Sequence, residues 1–237
     1  MKDVYADAFV ESLFDTMSGS YSRMNYITSF GFSEIWRRQC VEAVSIQPGK
    51  VTVDLLSGKG ECWKSIFKRS DQNSKLIAID FSDEMNKGAE ERKQKYPQHD
   101  IKILNENVFD NSIQSNSADF VVSGFGLKTF NDQQLGQLAQ EIERILKVGG
   151  KFSLIDISVP KGKGLKMFFM FYLKNIIPIL GKIFLGNPDS YRMLGIYTTQ
   201  FGNAEKVAKI FNQHKFEVEY VPYFFGCASG ITGTKID

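Results

Sequence analysis

Val51–Glu61, V-T-V-D-L-L-S-G-K-G-E, followed about twenty positions later by Lys75–Asp80, K-L-I-A-I-D, decides the fold. A β-branched run ends in Asp54, a turn carrying Gly58 and Gly60 follows, and a second apolar run ends in Asp80. Small residues in the first turn let the backbone approach a ligand closely, and an acid at the end of the second strand can accept hydrogen bonds from a ribose diol. Gly58-x-Gly60 alone says little. The order strand, turn, helix, strand-end acid makes this a nucleoside-binding α/β unit.

The unit does not read as a dinucleotide site, because the third glycine of that fingerprint is replaced by Trp63. Nor is it a phosphate loop, since Glu61 rather than Lys follows Gly60. A carboxylate at the mouth of the turn repels a pyrophosphate but can face the amino group of a cationic nucleoside. That chemistry favours S-adenosylmethionine (SAM). A βαβ turn without a ligand is the bland alternative, and a nicotinamide oxidoreductase is a second one that Trp63 disfavours.

Outward from this unit, strands are expected near 51–55, 75–80, 101–105, 119–124 and 151–157, with helical segments near 61–70, 83–95 and 132–146. The alternation predicts an α/β fold with a doubly wound, seven-stranded, mostly parallel sheet. A helix near 203–213 and aromatic, β-branched runs near 216–225 and 227–234 supply a final antiparallel pair. Leu146–Gly150 reads as a helix stop and tight turn. Residues 5–45 read as helices broken at Gly19 and Gly31, a helical cap over 1–45 of a single domain spanning 1–237. Residues 160–200 read as an inserted lid. Its apolar stretch 165–185 is interrupted by Lys166, Lys174, Asn175, Pro178 and Lys182, which argues for an interfacial or lid helix rather than a membrane span. A core or dimer-contact helix, and with it a homodimer, is the alternative.

A net charge of +2 and a pI near 8.3, with lysines spread along the chain, point away from a nucleic-acid partner. Cys40, Cys62 and Cys227 have no metal-like spacing, and His99 and His214 are the only histidines, so no metal is expected. The N-terminal residues M-K-D-V-Y-A-D lack the apolar core of a signal peptide, and the expected location is the cytoplasm, with peripheral membrane contact through 165–185.

Further segments resemble the SAM-dependent ubiquinone/menaquinone C-methyltransferase family, a class I methyltransferase family. Phe14-Asp-Thr-Met-Ser-Gly-Ser-Tyr-Ser-Arg-Met-Asn25 is similar to its F-D-x-V-A-x-x-Y-D-x-M-N opening, and Ser29-Phe-Gly31 with Trp36-Arg-Arg38 to its S-x-G…W-[KR]-R. Phe125-Gly-Leu127, Val148-Gly-Gly-Lys151 and Asp189-Ser-Tyr-Arg-Met-Leu194 resemble its S-F-G-[LI]-R-N, K-P-G-G and D-S-Y-x-Y-L elements in order. The resemblance implies a Rossmann-like methyltransferase domain with SAM as cofactor. The methionine moiety would lie over Ser57, Gly58, Lys59 and Gly60 after Asp54, the ribose on Asp80, and the adenine beside Phe81, Asn107 and Val108. Gly124 and Phe125 would form the reaction mouth, with Tyr21 reaching in from the cap. Tyr21 and Phe125 as plain core residues is the bland reading.

The departures concern the acceptor. The family's G-G-T-G is Ser57-Gly-Lys-Gly60 here, its Arg-Asn is Lys128-Thr129, and its H-R-G-Y corresponds to Ile231-Thr-Gly-Thr234. Arginine and lysine are not equivalent where a planar contact positions a substrate. The expected activity is methyl transfer to a small apolar or aromatic acceptor, quinol-like by resemblance. The alternatives are a different O-, N- or C-acceptor and a SAM-binding module without catalysis. Candidate catalytic residues are Lys128, as a base or as a cation drawing an anionic acceptor, and Tyr21. The Lys59 ammonium is expected beside the SAM carboxylate.

Overall fold

The computed structural model describes residues 4–185 and 188–237, without the side chains of 183–190. Seven strands form one sheet: β1 (Val51–Leu55), β2 (Lys75–Asp80), β3 (Asp100–Asn105), β4 (Ala118–Gly124), β5 (Leu146–Ile157), β6 (Phe216–Tyr223) and β7 (Ala228–Lys235). Their order is β3-β2-β1-β4-β5-β7-β6. The first five run parallel, and β7 pairs antiparallel with both β5 and β6. The sequence order reverses at β1, beside β4, and ligands of such sheets lie outside the carboxyl ends of the strands at that point.

Both faces of the sheet are covered, which is why the parallel strands read as apolar runs. On one face α6 (Asp132–Ile145) and α10 (Glu205–Phe211) pack Leu135, Leu138, Ile142, Val207 and Phe211 against Val53, Leu55, Val121 and Leu154. Helix α6 begins with a capping box: the Asn131 side chain accepts from Gln134 N (2.9 Å) and the Gln134 side chain from Asn131 N (3.0 Å). Its buried residues recur at three- and four-residue spacing, so one stripe meets the sheet. The other face is covered by α3 (Phe32–Ala43), α4 (Trp63–Phe67) and α5 (Asp83–Lys93), through Val41, Val44, Trp63, Ile66 and Ala89.

Two boundaries differ from the sequence reading. Leu146 is already paired with Ala118, and a bulge before the Lys151–Phe120 pair absorbs Gly149 at φ +78°, so the expected turn is an irregular start of β5. Within the N-terminal helices, α3 belongs to the sheet packing. Only α1 (Asp7–Met17) and α2 (Tyr21–Thr28) lie over the carboxyl ends as a cap.

The insertion after β5 forms α7 (Lys163–Phe171), a π-helical turn at Tyr172–Ile176, α8 (Ile177–Leu185) and α9 (Pro188–Phe201). The wide turn falls just before Pro178, which has no N–H to continue an α-helical ladder. Lys163–Lys182 is long and apolar enough to cross a membrane by length and composition. One side of it is nevertheless fixed to the protein, with Leu173 and Ile177 packed on Met24 and Tyr191. The start of the Asp189–Leu194 motif, Asp189-Ser190, lies outside the described side chains.

Candidate active site

The turn after β1 is held by backbone bonds from Ser57 N to Ile79 O (3.0 Å) and from Gly60 N to Ser57 O (2.9 Å). Gly60 sits at φ +77°, and a Cβ there would fall 2.5 Å from the Trp63 indole. The residue replacing the third glycine therefore stacks on the second, which must remain glycine. Asp80, at the end of β2, accepts from Gly58 N at 2.8 Å and from Ser82 N at 3.0 Å. Burial pushes its carboxyl up to about 6 despite those two donors. Each oxygen keeps a lone pair for a further donor.

Tyr21, Gly58, Asp80, Phe81, Asn107, Val108, Gly124 and Phe125 line one cleft at the carboxyl ends of the strands. The cap closes it from above with polar side chains. Asp7 accepts from Asn107 Nδ2 (2.8 Å), Asp15 from Ser82 Oγ (2.6 Å), and Glu61 from Ser22 Oγ (2.5 Å).

Asp54, Ser57, Lys59 and Gly60 do not line the cleft. Asp54 and Ser57 lie beneath the turn, where the Asp54 oxygens, Ser57 Oγ and Trp63 Nε1 are buried neighbours without a well-formed hydrogen bond. Burial, with the nearby Glu61 charge, holds the Asp54 carboxyl well above the usual range. Lys59, expected beside the SAM carboxylate, has its stem across Gly88 of α5, with Cδ 2.7 Å from where a Gly88 Cβ would be, so the side chain runs toward α5.

A second, apolar cavity of about 350 Å³ opens beside the first, between the cap, α3, α7 to α9 and the β6–β7 turn. Among the described residues Lys128 is its one charged lining group. Lys128 Nζ donates to Asp156 Oδ1 (3.0 Å) and to Phe125 O (2.6 Å), and Lys128 N donates to Asp156 Oδ2 (2.8 Å). Asp156 is fully buried. Both Nζ contacts use N–H donors, and the one to Asp156 is a buried ion pair, an arrangement that suits a cation drawing an anionic acceptor oxygen. Phe14, Tyr21, Phe125 and Thr129 line both cavities and form the wall between them. Burial pushes the Tyr21 phenol up to about 12, so it stays protonated at neutral pH.

Two side chains of this site were not singled out in the sequence. Arg37, only 3% exposed on α3, holds its guanidinium 4.8 Å from the Phe125 ring centroid and bonds Glu34 at 3.2 Å. Burial disfavours its charge, but Glu61 and Tyr21 hold it above its ordinary range. The signal was Trp36-Arg-Arg38. Asp156, ending S-L-I-D as Asp54 ends V-T-V-D, is the other. Ile231-Thr-Gly-Thr234 lies within β7, with Ile231 in the core, and lines neither cavity.

The cleft fits a cationic nucleoside. It presents the carboxylates of Asp7 and Asp80 and, among the described residues, no Lys or Arg that would hold a pyrophosphate. The whole-chain comparison agrees, since the sequence matches the ubiE/COQ5 methyltransferase family over residues 1–235.

The chain belongs to the ubiE/COQ5 methyltransferase family. It is 29% identical over 227 residues to a demethylmenaquinone methyltransferase of Listeria welshimeri, covering 95% of each chain. A demethylmenaquinone methyltransferase of Staphylococcus saprophyticus is 31% identical over 217 residues, 92% of this chain and 91% of that one. Among solved structures, a SAM-dependent methyltransferase from Aquifex aeolicus superposes with a TM-score of 0.60 at 15% identity, over 84% of this chain and 89% of that one. The geranyl diphosphate C-methyltransferase of Streptomyces coelicolor gives 0.60 at 11%, over 85% and 77%. These last two share the fold. This ubiE/COQ5 member is a SAM-dependent methyltransferase with the class I architecture.

Proposed function

We propose that this enzyme C-methylates a lipophilic reduced quinone in the cytoplasm, taking SAM in the Asp80 cleft and the acceptor ring in the apolar cavity. The observation that carries this reading is the shared wall. Phe14, Tyr21, Phe125 and Thr129 separate a cleft suited to a cationic nucleoside from an apolar chamber whose one charged lining residue, among those described, is Lys128. The demethylmenaquinone methyltransferase relatives support the choice of acceptor.

Bound in the cleft, SAM supplies a methyl group on a sulfonium that is already activated for in-line displacement. Asp80 would hold the ribose, and the buried oxygens of Asp54 and Ser57 lie under the turn where the amino-acid end would sit. In the chamber, two of the three Lys128 ammonium donors are engaged by Asp156 and Phe125 O, which leaves one for an acceptor oxygen. An ammonium in apolar surroundings favours the ionised form of a hydroxyl, whose proton passes to solvent, and raises electron density on the adjacent ring carbon; once the C–C bond has formed and the C–S bond has broken, the ring proton is lost and aromaticity returns. The aromatic walls orient the ring and exclude water. Residues of the segment from Leu165 to Ile177 line one wall of the chamber, and we place that wall against the membrane from which such an acceptor would enter.

The test uses methyl-labelled SAM with naphthohydroquinols whose ring carbon beside the hydroxyl is either free or already methylated. Label on the free ring carbon, and none in the methylated compound, is expected. Label on oxygen would overturn the C-methylation reading, and no transfer to any of them would favour a SAM-binding module without this chemistry.

A further inference from the structure

Three phenylalanines stand in left-handed backbone on two turns at the mouth of the apolar cavity: Phe30 (φ 51°), Phe224 (φ 41°) and Phe225 (φ 54°). Left-handed backbone is disfavoured for a bulky L-residue, and such positions usually go to Gly or Asn. Phe30 and Phe225 are also the most exposed large apolar residues of the described structure, at 80% and 81%. Neither burial nor backbone preference accounts for phenylalanine there. Strain that the fold does not need is a mark of function.

The two turns converge on one rim. Phe30 leads from α2 to α3, with its ring 6.0 Å from Tyr172 in the π-helical turn of the lid. Phe224 lies between β6 and β7 with its ring 4.5 Å from Phe32, and its neighbour Gly226 approaches Pro160 at the root of the lid. Phe30, Phe224 and the exposed Phe168 of α7 all line the cavity itself.

We propose that the Phe30 turn and the Phe224–Phe225 turn insert, together with the outer face of α7, into the interface of an anionic bilayer, so that the cavity opens onto the acyl region. This deepens the reading of a lipophilic acceptor and rests on it. Charge complementarity selects a bilayer as the occupant. Residues 160–182 carry five lysines and no carboxylate; Lys161 is paired with Glu205, and Lys163, Lys166, Lys174 and Lys182 form a cationic collar beside exposed aromatics. That is the pairing an interfacial helix presents to anionic head groups and the acyl boundary. A protein partner on the same rim would close the mouth through which the acceptor enters.

The experiment is co-sedimentation of the full chain with phosphatidylcholine vesicles, with and without phosphatidylglycerol. It compares the intact protein with Phe225→Asn and with Phe30→Asn/Phe225→Asn. Asparagine tolerates left-handed backbone, so both variants should melt at or above the temperature of the intact chain. Phe225 lines neither cavity, so Phe225→Asn should keep its SAM affinity and its transfer to a short-chain, water-soluble naphthohydroquinol. We expect the intact chain to pellet with anionic vesicles. Phe225→Asn should bind them about tenfold more weakly, as removal of one inserted phenyl ring implies, and the double variant more weakly still. Intact protein that stays in solution with anionic vesicles, or variants that pellet as it does, would overturn the proposal. So would a dimer that Phe225→Asn dissociates without any vesicle binding, which would assign the rim to a second copy. Transfer to the soluble acceptor without vesicles tests the quinol reading separately. Vesicle binding lost by Phe225→Asn would sustain the docking surface even if that transfer failed.

Discussion

Replacing Asp80 by asparagine should move stability and cofactor affinity in opposite directions. Burial raises this carboxyl from 3.8 to about 6 in the folded chain. The charged form is therefore disfavoured on folding by about 3 kcal/mol, at about 1.4 kcal/mol per pH unit. The sign follows from linkage. A carboxyl with a raised folded pKa contributes no penalty below 3.8, an increasing one from there to about 6, and the full penalty above. Asp80→Asn removes that pH dependence and also weakens one of the bonds from Gly58 N and Ser82 N, because the amide offers one acceptor where the carboxylate offers two. The quantity to measure is the stability difference between variant and wild type without SAM. It should shift in favour of the wild type by about 2 kcal/mol between pH 7 and pH 4.5, whatever the constant cost of the lost bond. Ribose hydroxyls need the ionised acid as acceptor, so wild-type SAM affinity should fall about tenfold from pH 7 to pH 5 as the carboxyl protonates. At pH 7 Asp80→Asn should bind SAM about ten- to a hundredfold more weakly, with little pH dependence. Urea melts across pH and calorimetric titration with SAM read both quantities. A folded variant with wild-type affinity, or a wild-type Kd that stays flat from pH 5 to pH 7, would refute the assignment.

Lys59→Thr should leave SAM affinity within about twofold at low salt, because a half-buried loop cation whose stem lies on α5 contributes little; calorimetry showing a tenfold loss would mean the side chain swings off Gly88 into the cleft. Lys128→Met should destabilise the fold by about 3–5 kcal/mol by leaving Asp156 buried without its cation, and adding Asp156→Asn should recover much of that stability while methyl transfer stays lost. Urea melts of the two single variants and the double, with turnover on the same samples, check this; additive losses would show that the pair is not coupled.

The sheet was legible because its parallel strands are covered on both sides. Val51–Leu55, Lys75–Asp80 and Ala118–Gly124 are therefore largely apolar runs bounded by turn residues, with Asp80 marking the ligand edge, while the edge strand Asp100–Asn105 alternates. Gly58 and Asp80 were legible from the order of strand, turn and strand-end acid, while Phe81 and Asn107 came from the family resemblance; all four line the cleft. The site was not legible where side-chain direction decides. Lys59 is one residue from Gly58, yet the conformation of the turn sends its stem onto α5. The closure of the cap was equally hidden, because Asp7–Asn107 and Asp15–Ser82 join residues 100 and 67 positions apart. Nothing in the local sequence distinguishes these acids from ordinary helix-start or surface carboxylates.

Lys128-Thr129 shows how a departure at a wall can narrow recognition without abolishing it. A guanidinium offers five donors in a rigid fork, whereas an ammonium offers three. Here two of the three are fixed, on Asp156 and on Phe125 O, and the Thr129 hydroxyl is engaged by Gly126 O at 2.7 Å. Beside the shared wall Lys128 therefore offers an acceptor one charge-assisted hydrogen bond, and in that wall the Tyr21 phenol offers a neutral one. An acceptor oxygen beside the reacting carbon uses the Lys128 donor. A second oxygen turned to the apolar lining would be desolvated without a partner, which is costly. The polar contact thus orients the ring, while the apolar lining, continued outward by Phe168 and the strained rim, bears on the rest of the molecule. For the proposed acceptor, orientation at the methylated carbon and retention of the apolar tail would in this way fall to different residues of one cavity.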